Sequence, residues 1–287
     1  MVKINCGVVT MNYDRPLNDA EQTLVYKTVA ERKIELSFLP PTIRKYEYAP
    51  VWMLIPGGGW HSETRESMIE FVKNAVEKLR KDGMAVAAID YRVTKEEGIV
   101  MEDIISDCFD AARYISHFKE TLKVDEKRIG VTGHSAGGHL ALMLSYAPQD
   151  MFVKNSVLND QFNVKVVAAL SPATIMYDAG TSVLGFTADS AYRGYNTVEE
   201  RIRTSPYSYV SKLCPPTMLC AGTSDRLVYC NSSELLYKKL LENGVNTKLI
   251  LSLGGGHCYE AMHDGIEPSP SIEEIQDEIA EFIMKYI

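Results

Sequence analysis

The feature that most restricts how this chain can fold is a series of short apolar runs spaced along it. They cover residues 34–39, 51–55, 85–89, 128–132, 164–170, 217–221 and 248–253. A strand with one solvated face alternates polar and apolar residues, whereas runs with little alternation suit strands buried on both faces of a parallel sheet. Longer amphipathic segments separate the runs. Ser67 and Glu70 have the spacing of a capping box and predict a helix ending near Asp82-Gly83. Ile104, Cys108, Ala112 and Ile115 mark the buried stripe of a second helix, with charged residues opposite. Further helices are expected over 137–146 and 232–243, the latter capped by Asn231 with Glu234, and from the capping box Ser271–Glu274 to the end. Segments 28–32 and 34–39 follow each other too closely for a crossover helix and predict an antiparallel edge pair. The expectation is a single α/β domain over 1–287, with a mostly parallel sheet of about eight strands and helices on both faces. Residues 172–211 break the rhythm, are rich in Tyr, Ser, Thr and Gly, and are expected to form a small cap above the carboxyl ends of the strands.

Composition narrows the function classes. With 287 residues, 46% hydrophobic and 24% charged, the chain can bury a core without disulfides or metal. Thirty basic against 38 acidic residues give a net charge of −8, which disfavours nucleic-acid partners. No apolar run reaches 18 residues, so no membrane span is expected. The first residues lack the long apolar stretch of a signal peptide, and the six cysteines are scattered without a CxxC pair. Both points lead to an expectation of a cytoplasmic protein with reduced thiols, no metal and no disulfide frame. A homo-oligomer is compatible with the sequence.

The strongest chemical signal is Gly133-His134-Ser135-Ala136-Gly137, placed where a strand ends and a helix begins. G-x-S-x-G in that context puts a serine hydroxyl on a sharp turn, with glycines that allow strand and helix to approach closely. Ala136 N–H, at the helix start, can donate to a developing oxyanion. Six histidines could serve as base. His257 follows a strand and the run Gly254-Gly255-Gly256, which presents it above the sheet; His61, His117, His134, His139 and His263 read as packed or solvated side chains. Asp225, in the turn after the 217–221 run, is the acid best placed to orient His257; Asp178, Asp189 and Asp264 are alternatives. Gly57-Gly58-Gly59 directly follows another buried strand, and Gly58 and Gly59 are expected to complete the oxyanion hole, with the Trp60 N–H as a substitute. No Lys-Ser/Thr follows, so a phosphate loop is disfavoured. Trp60, Tyr91, Tyr177 and Tyr192 are candidates for lining an acyl or sugar pocket. Cys258 beside His257 reads as a packing or rim thiol.

Taken together, PGGGW, Asp90-Tyr91-Arg92, GHSAGGHL, Ser205-Pro206-Tyr207, GTSDRLV and GGGH resemble the α/β-hydrolase-fold carboxylesterases of the hormone-sensitive-lipase-like and acetyl-xylan-esterase-like type, over about residues 28–286. One departure is Pro56, where that group often has a histidine that supports the glycine loop. The resemblance implies hydrolysis of small-acyl esters, often acetyl groups on sugars, through Ser135, His257 and Asp225, without cofactor. An amide hydrolase, either a small peptidase or an aryl-formamidase, would use the same three residues. A non-catalytic scaffold would typically have lost one of them.

Overall fold

Each of the seven apolar runs becomes a strand. The computed structural model describes residues 13–62, 64–153, 156, 158–177 and 197–287. Among these, the strands are β1 (Gln22–Val29), β2 (Arg32–Leu39), β3 (Ala49–Ile55), β4 (Ala85–Ile89), β5 (Val124–His134), β6 (Val164–Leu170), β7 (Thr217–Gly222) and β8 (Thr247–Ser252). They form one eight-stranded sheet in the order β1-β2-β4-β3-β5-β6-β7-β8. β2 is antiparallel to both of its neighbours, and the pairings from β4 through β8 are all parallel. The expected antiparallel edge pair exists, but its first strand begins earlier than residue 28. Gln22–Val29 has polar pairs on both sides of only three apolar residues, Leu24-Val25-Tyr26, and so leaves no long apolar run to read, while Ala30, at φ 54°, makes the turn.

The helices are α1 (Arg65–Phe71), α2 (Lys73–Lys81), α3 (Met101–His117), α4 (Lys119–Leu122), α5 (Ala136–Tyr146), α6 (Val198–Arg203), α7 (Asn231–Glu242) and α8 (Ile272–Tyr286). Successive residues of β3 show how the sheet divides the core. Val51, Met53 and Ile55 join the cluster containing Ile104, Phe109, Leu140 and Leu236 from α3, α5 and α7. Trp52 and Leu54 join the one containing Met68, Leu79, Ile275 and Ile283 from α1, α2 and α8. Both faces are therefore sealed, which is why the strands tolerate so few polar residues.

Three local expectations are corrected. Thr64, not Ser67, caps α1: its side chain accepts from Ser67 N–H, and the helix breaks at Val72 before α2. Asn231 is the first residue of α7 rather than its cap, which is Cys230. The charged side of α3 is buried, because Asp103, Asp107 and Asp110 pair with Lys27 and Arg92 beneath β1, and Arg113 pairs with Asp110. Ser271 caps α8 with Glu274, as expected. Of the expected cap, 178–196 lies outside the described residues; the rest contains α6 and a 3-10 turn at Pro206–Tyr209.

Candidate active site

Because β5, β7 and β8 run parallel, the segments leaving their carboxyl ends emerge at one edge of the sheet. Ser135 follows β5, Asp225 follows β7 and His257 follows β8. Parallel topology thus converts sequence separations of 122 and 32 residues into contact.

Ser135 is the single residue between β5 and α5 and has φ 55°, ψ −117°. A non-glycine residue held there stores roughly 1–3 kcal/mol of strain. Two backbone bonds hold it: Ser135 N–H donates to Leu170 O at 2.8 Å, and His139 N–H donates to Ser135 O at 3.0 Å. The flanking glycines are required by space. A Cβ at Gly133 would lie 2.1 Å from the Gly137 carbonyl oxygen, and one at Gly137 would lie 2.1 Å from that of Ile55.

Asp225 is 4% exposed. Its Oδ1 accepts from the Leu227 and Val228 N–H groups at 2.8 and 3.0 Å, which fixes the carboxylate in its turn. Its Oδ2 lies 2.7 Å from His257 Nδ1. A carboxylate only accepts, so Nδ1 carries the imidazole proton and Nε2 offers its lone pair. That Nε2 lies 2.8 Å from Ser135 Oγ. The structure therefore brings Ser135, His257 and Asp225 into one hydrogen-bonded line, with the Ser135 end half-buried.

The glycine loop runs against the same turn. A Cβ on Gly57 would sit 2.9 Å from His134 O and 3.4 Å from Ser135 Cβ. Gly58, Gly59 and Trp60 continue as a 3-10 turn with φ of 73°, 59° and 62°. Ala136 opens α5 directly beside the serine.

Two aromatics expected on the pocket wall are instead inside the protein. Trp60 is 2% exposed, and its indole N–H donates to His139 Nδ1 at 3.2 Å. Tyr91 is 5% exposed, and its hydroxyl lies 2.9 Å from Pro56 O and 2.7 Å from Gly57 O. Tyr91 thus braces the glycine loop that follows Pro56, where a histidine would otherwise support it. Tyr177 is half-buried at the border of the described residues; Asp178, Asp189 and Tyr192 lie outside them.

The remaining histidines divide by burial. His263 is exposed, as is Asp264 beside it, and His117 sits near Asp160 at the surface. His61 contacts Gly59 O. His139 is fully buried, with Nε2 2.7 Å from Thr204 O, and its pKa is pushed down to about 4 by that burial. His134 also falls to about 4, first through burial and then through the neighbouring His257. Cys258 is exposed, with Sγ 4.0 Å from His134 Nε2. Sequence reasoning missed Ser171, whose Oγ donates to His257 O at 3.0 Å, and the matching 3.0 Å contact of His134 Nε2 to that oxygen. The only sequence signal for Ser171 was its place directly after the 164–170 run. Among the described residues, no group of three or more His, Cys, Asp or Glu side chains is arranged to hold a metal ion, and no helix is long and apolar enough to cross a membrane.

An eight-stranded, mostly parallel sheet with a serine on a strained strand–helix turn, an acid after β7 and a histidine after β8 defines the α/β-hydrolase fold. Within it, the sequence model of the BD-FAE family matches residues 37–240, and the chain belongs to that family. Esterase 2 of Thermogutta terrifontis superposes with a TM-score of 0.76 at 21% identity, covering 92% of this chain and 94% of that one. That esterase has been seen with propionate bound and phosphonylated by sarin. The acetylxylan esterase of Xylanibacter ruminicola is 23% identical over 217 residues, which is 71% of this chain and 40% of that enzyme. The acylamino-acid-releasing enzyme of Arabidopsis thaliana is 27% identical over 165 residues, 56% of this chain and 20% of that enzyme. The chain spans less than half the length of either curated relative.

Proposed function

We propose that the protein is a serine carboxylic-ester hydrolase acting on short acyl esters, with acetyl groups on oligosaccharides as the natural class. The observation that carries the reading is the continuous line from Asp225 Oδ2 through His257 to Ser135 Oγ, at 2.7 and 2.8 Å. In this mechanism Ser135 Oγ attacks the ester carbonyl carbon as its proton passes to His257 Nε2. Asp225 keeps the imidazole in the tautomer that can accept and stabilises the imidazolium. Gly58, Gly59 and Ala136 supply N–H groups to the tetrahedral oxyanion, each such donor contributing about 2.7–4 kcal/mol. His257 returns the proton to the departing alkoxide, and water, deprotonated by the same imidazole, releases the acid from the acyl-enzyme.

The acetyl and sugar preference is supported by the likeness to an acetylxylan esterase. The likeness to the acylamino-acid-releasing enzyme favours one second reading, amide hydrolysis on the same three residues. Free thiols at Cys108, Cys214, Cys220, Cys230 and Cys258 fit a reducing compartment, and the reading includes a cytoplasmic location. The test is a set of initial rates on 4-nitrophenyl esters of rising acyl length, acetylated xylo-oligosaccharides and an aminoacyl anilide. The proposal expects kcat/KM to be highest for acetyl and to fall with chain length. Faster turnover of the anilide selects the amide reading, and no turnover of any ester refutes the proposal.

A further inference from the structure

β6 supplies no member of the triad, yet its last residues touch all three branches of it. Leu170 O accepts from Ser135 N–H at 2.8 Å. The next residue, Ser171, donates from Oγ to His257 O at 3.0 Å, and its N–H donates to Cys220 O at 2.8 Å on β7, the strand that leads to Asp225. The His257 carbonyl receives a second donor, His134 Nε2, also at 3.0 Å. Two donors thus converge on the backbone oxygen of the proposed base.

Two independent observations say that this convergence is more than the satisfaction of one carbonyl. Ser171 is held at φ 45°, a region where glycine would be unstrained, and it is 1% exposed. Retaining a strained side chain there points to the hydroxyl itself. The loop that delivers His257 begins Gly254-Gly255-Gly256, so on its N-terminal side the backbone has little intrinsic stiffness. That stretch is tied by Gly254 N–H to Thr223 Oγ1 at 2.9 Å and Gly256 N–H to Glu260 O at 2.8 Å, and the Ser171 and His134 donors add a tie at the His257 peptide itself. Tyr259, two residues on, lies against the same hydroxyl: its phenolic oxygen is 3.3 Å from Ser171 Oγ and is the second acceptor within reach of that one proton.

We infer that Ser171 is a positioning residue that, with His134 as second donor, holds the His257 backbone so that Nε2 stays in line with Ser135 Oγ. The inference rests on the hydrolase reading above. It adds that alignment of base and nucleophile is set from β6 and from the residue preceding the serine, not by the Asp225 contact alone.

The variants are Ser171→Gly, which removes the hydroxyl while relieving the strain, Ser171→Ala, His134→Phe, which removes the donor and keeps an aromatic ring against Phe71, and His134→Gln, whose amide nitrogen reaches about where Nε2 sits. Each is assayed for kcat, KM, melting temperature and rate of covalent labelling by a fluorophosphonate probe. Small misplacements of reacting groups cost up to about 100-fold in rate. The expected result is a fall of about tenfold in kcat and in labelling rate for Ser171→Gly and Ser171→Ala, with KM unchanged and Ser171→Gly melting no lower than wild type. His134→Phe behaves similarly, His134→Gln recovers most of the rate, and Ser171→Gly/His134→Phe loses about 100-fold. If Ser171→Gly keeps kcat and labelling within about twofold of wild type, or changes KM alone, or loses rate only in step with melting temperature, the positioning role is overturned. Wild type that is neither active nor labelled at Ser135 refutes the hydrolase reading, and the inference with it.

Discussion

Two of the buried polar clusters among the described residues differ in how they end. Beneath β1, Lys27 pairs with Asp107 and Asp110, Arg92 with Asp103 and Asp107, and Arg113 with Asp110. Three acids meet three bases, their side chains are at most 8% exposed, and they project from β1 just past its register shift at Val25/Lys27, from α3 and from the segment after β4. Nothing in that network is left to react. At the other end of the sheet the line Asp225–His257–Ser135 is anchored at one terminus by two backbone N–H groups and ends at the other in a half-buried hydroxyl on strained backbone. Buried charge therefore marks rigidity in the first cluster. Strain together with an open terminus marks the site in the second.

This contrast can be broken in order of effect. Ser135→Ala should lower kcat on 4-nitrophenyl acetate by about 10⁶, as loss of a triad nucleophile does elsewhere, with little change in melting temperature, because the fold loses only the half-buried hydrogen bond to His257. Asp225→Asn should cost about 10⁴ in kcat by leaving His257 in the wrong tautomer while the fold persists. Asp107→Ala should reverse the pattern. Removing the shared acid leaves three buried cations facing two acids, Asp103 and Asp110, and should cost about 3–5 kcal/mol in urea unfolding, with kcat per folded molecule within about twofold of wild type.

A last effect, on stability and not on rate, is pH dependence. His134 and His139 have folded pKa values near 4, depressed from 6.5 chiefly by burial. Below 6.5 the unfolded chain takes up protons that the folded chain refuses. The stability these residues hold is thus complete above 6.5 and is lost as pH falls toward 4, at about 1.4 kcal/mol per pH unit for each histidine. Urea midpoints at pH 7, 6 and 5 measure the slope. Half the slope would show that one ring protonates in the native state, and a flat profile that both do.

The parts of this architecture legible in the sequence share a physical cause. Runs buried on both faces have no polar alternation, so β3, β4, β6 and β7 could be read directly, and the serine turn could be read because Gly133 and Gly137 occupy places where no Cβ fits. What escaped depends on partners distant in sequence. β1 has only three consecutive apolar residues, Leu24–Tyr26, and its buried Lys27 is legible only once α3 brings Asp107 and Asp110 to it. Trp60 and Tyr91 have the chemistry of pocket walls, and only the fold shows their polar atoms meeting His139 and the Pro56–Gly57 carbonyls. Ser171 is one serine among many until β6 lies beside β5 and β7.

The claim beneath all of this is that Ser135 and His257 act as one unit. The direct test is kcat for Ser135→Ala, His257→Ala and the double variant, with all three shown to be folded. Either single substitution should already remove nearly all of the catalysis, and the double should be no slower than the slower single. A double variant whose loss is the product of the two single losses would mean that the hydroxyl and the imidazole work independently, and the proposed mechanism would be wrong.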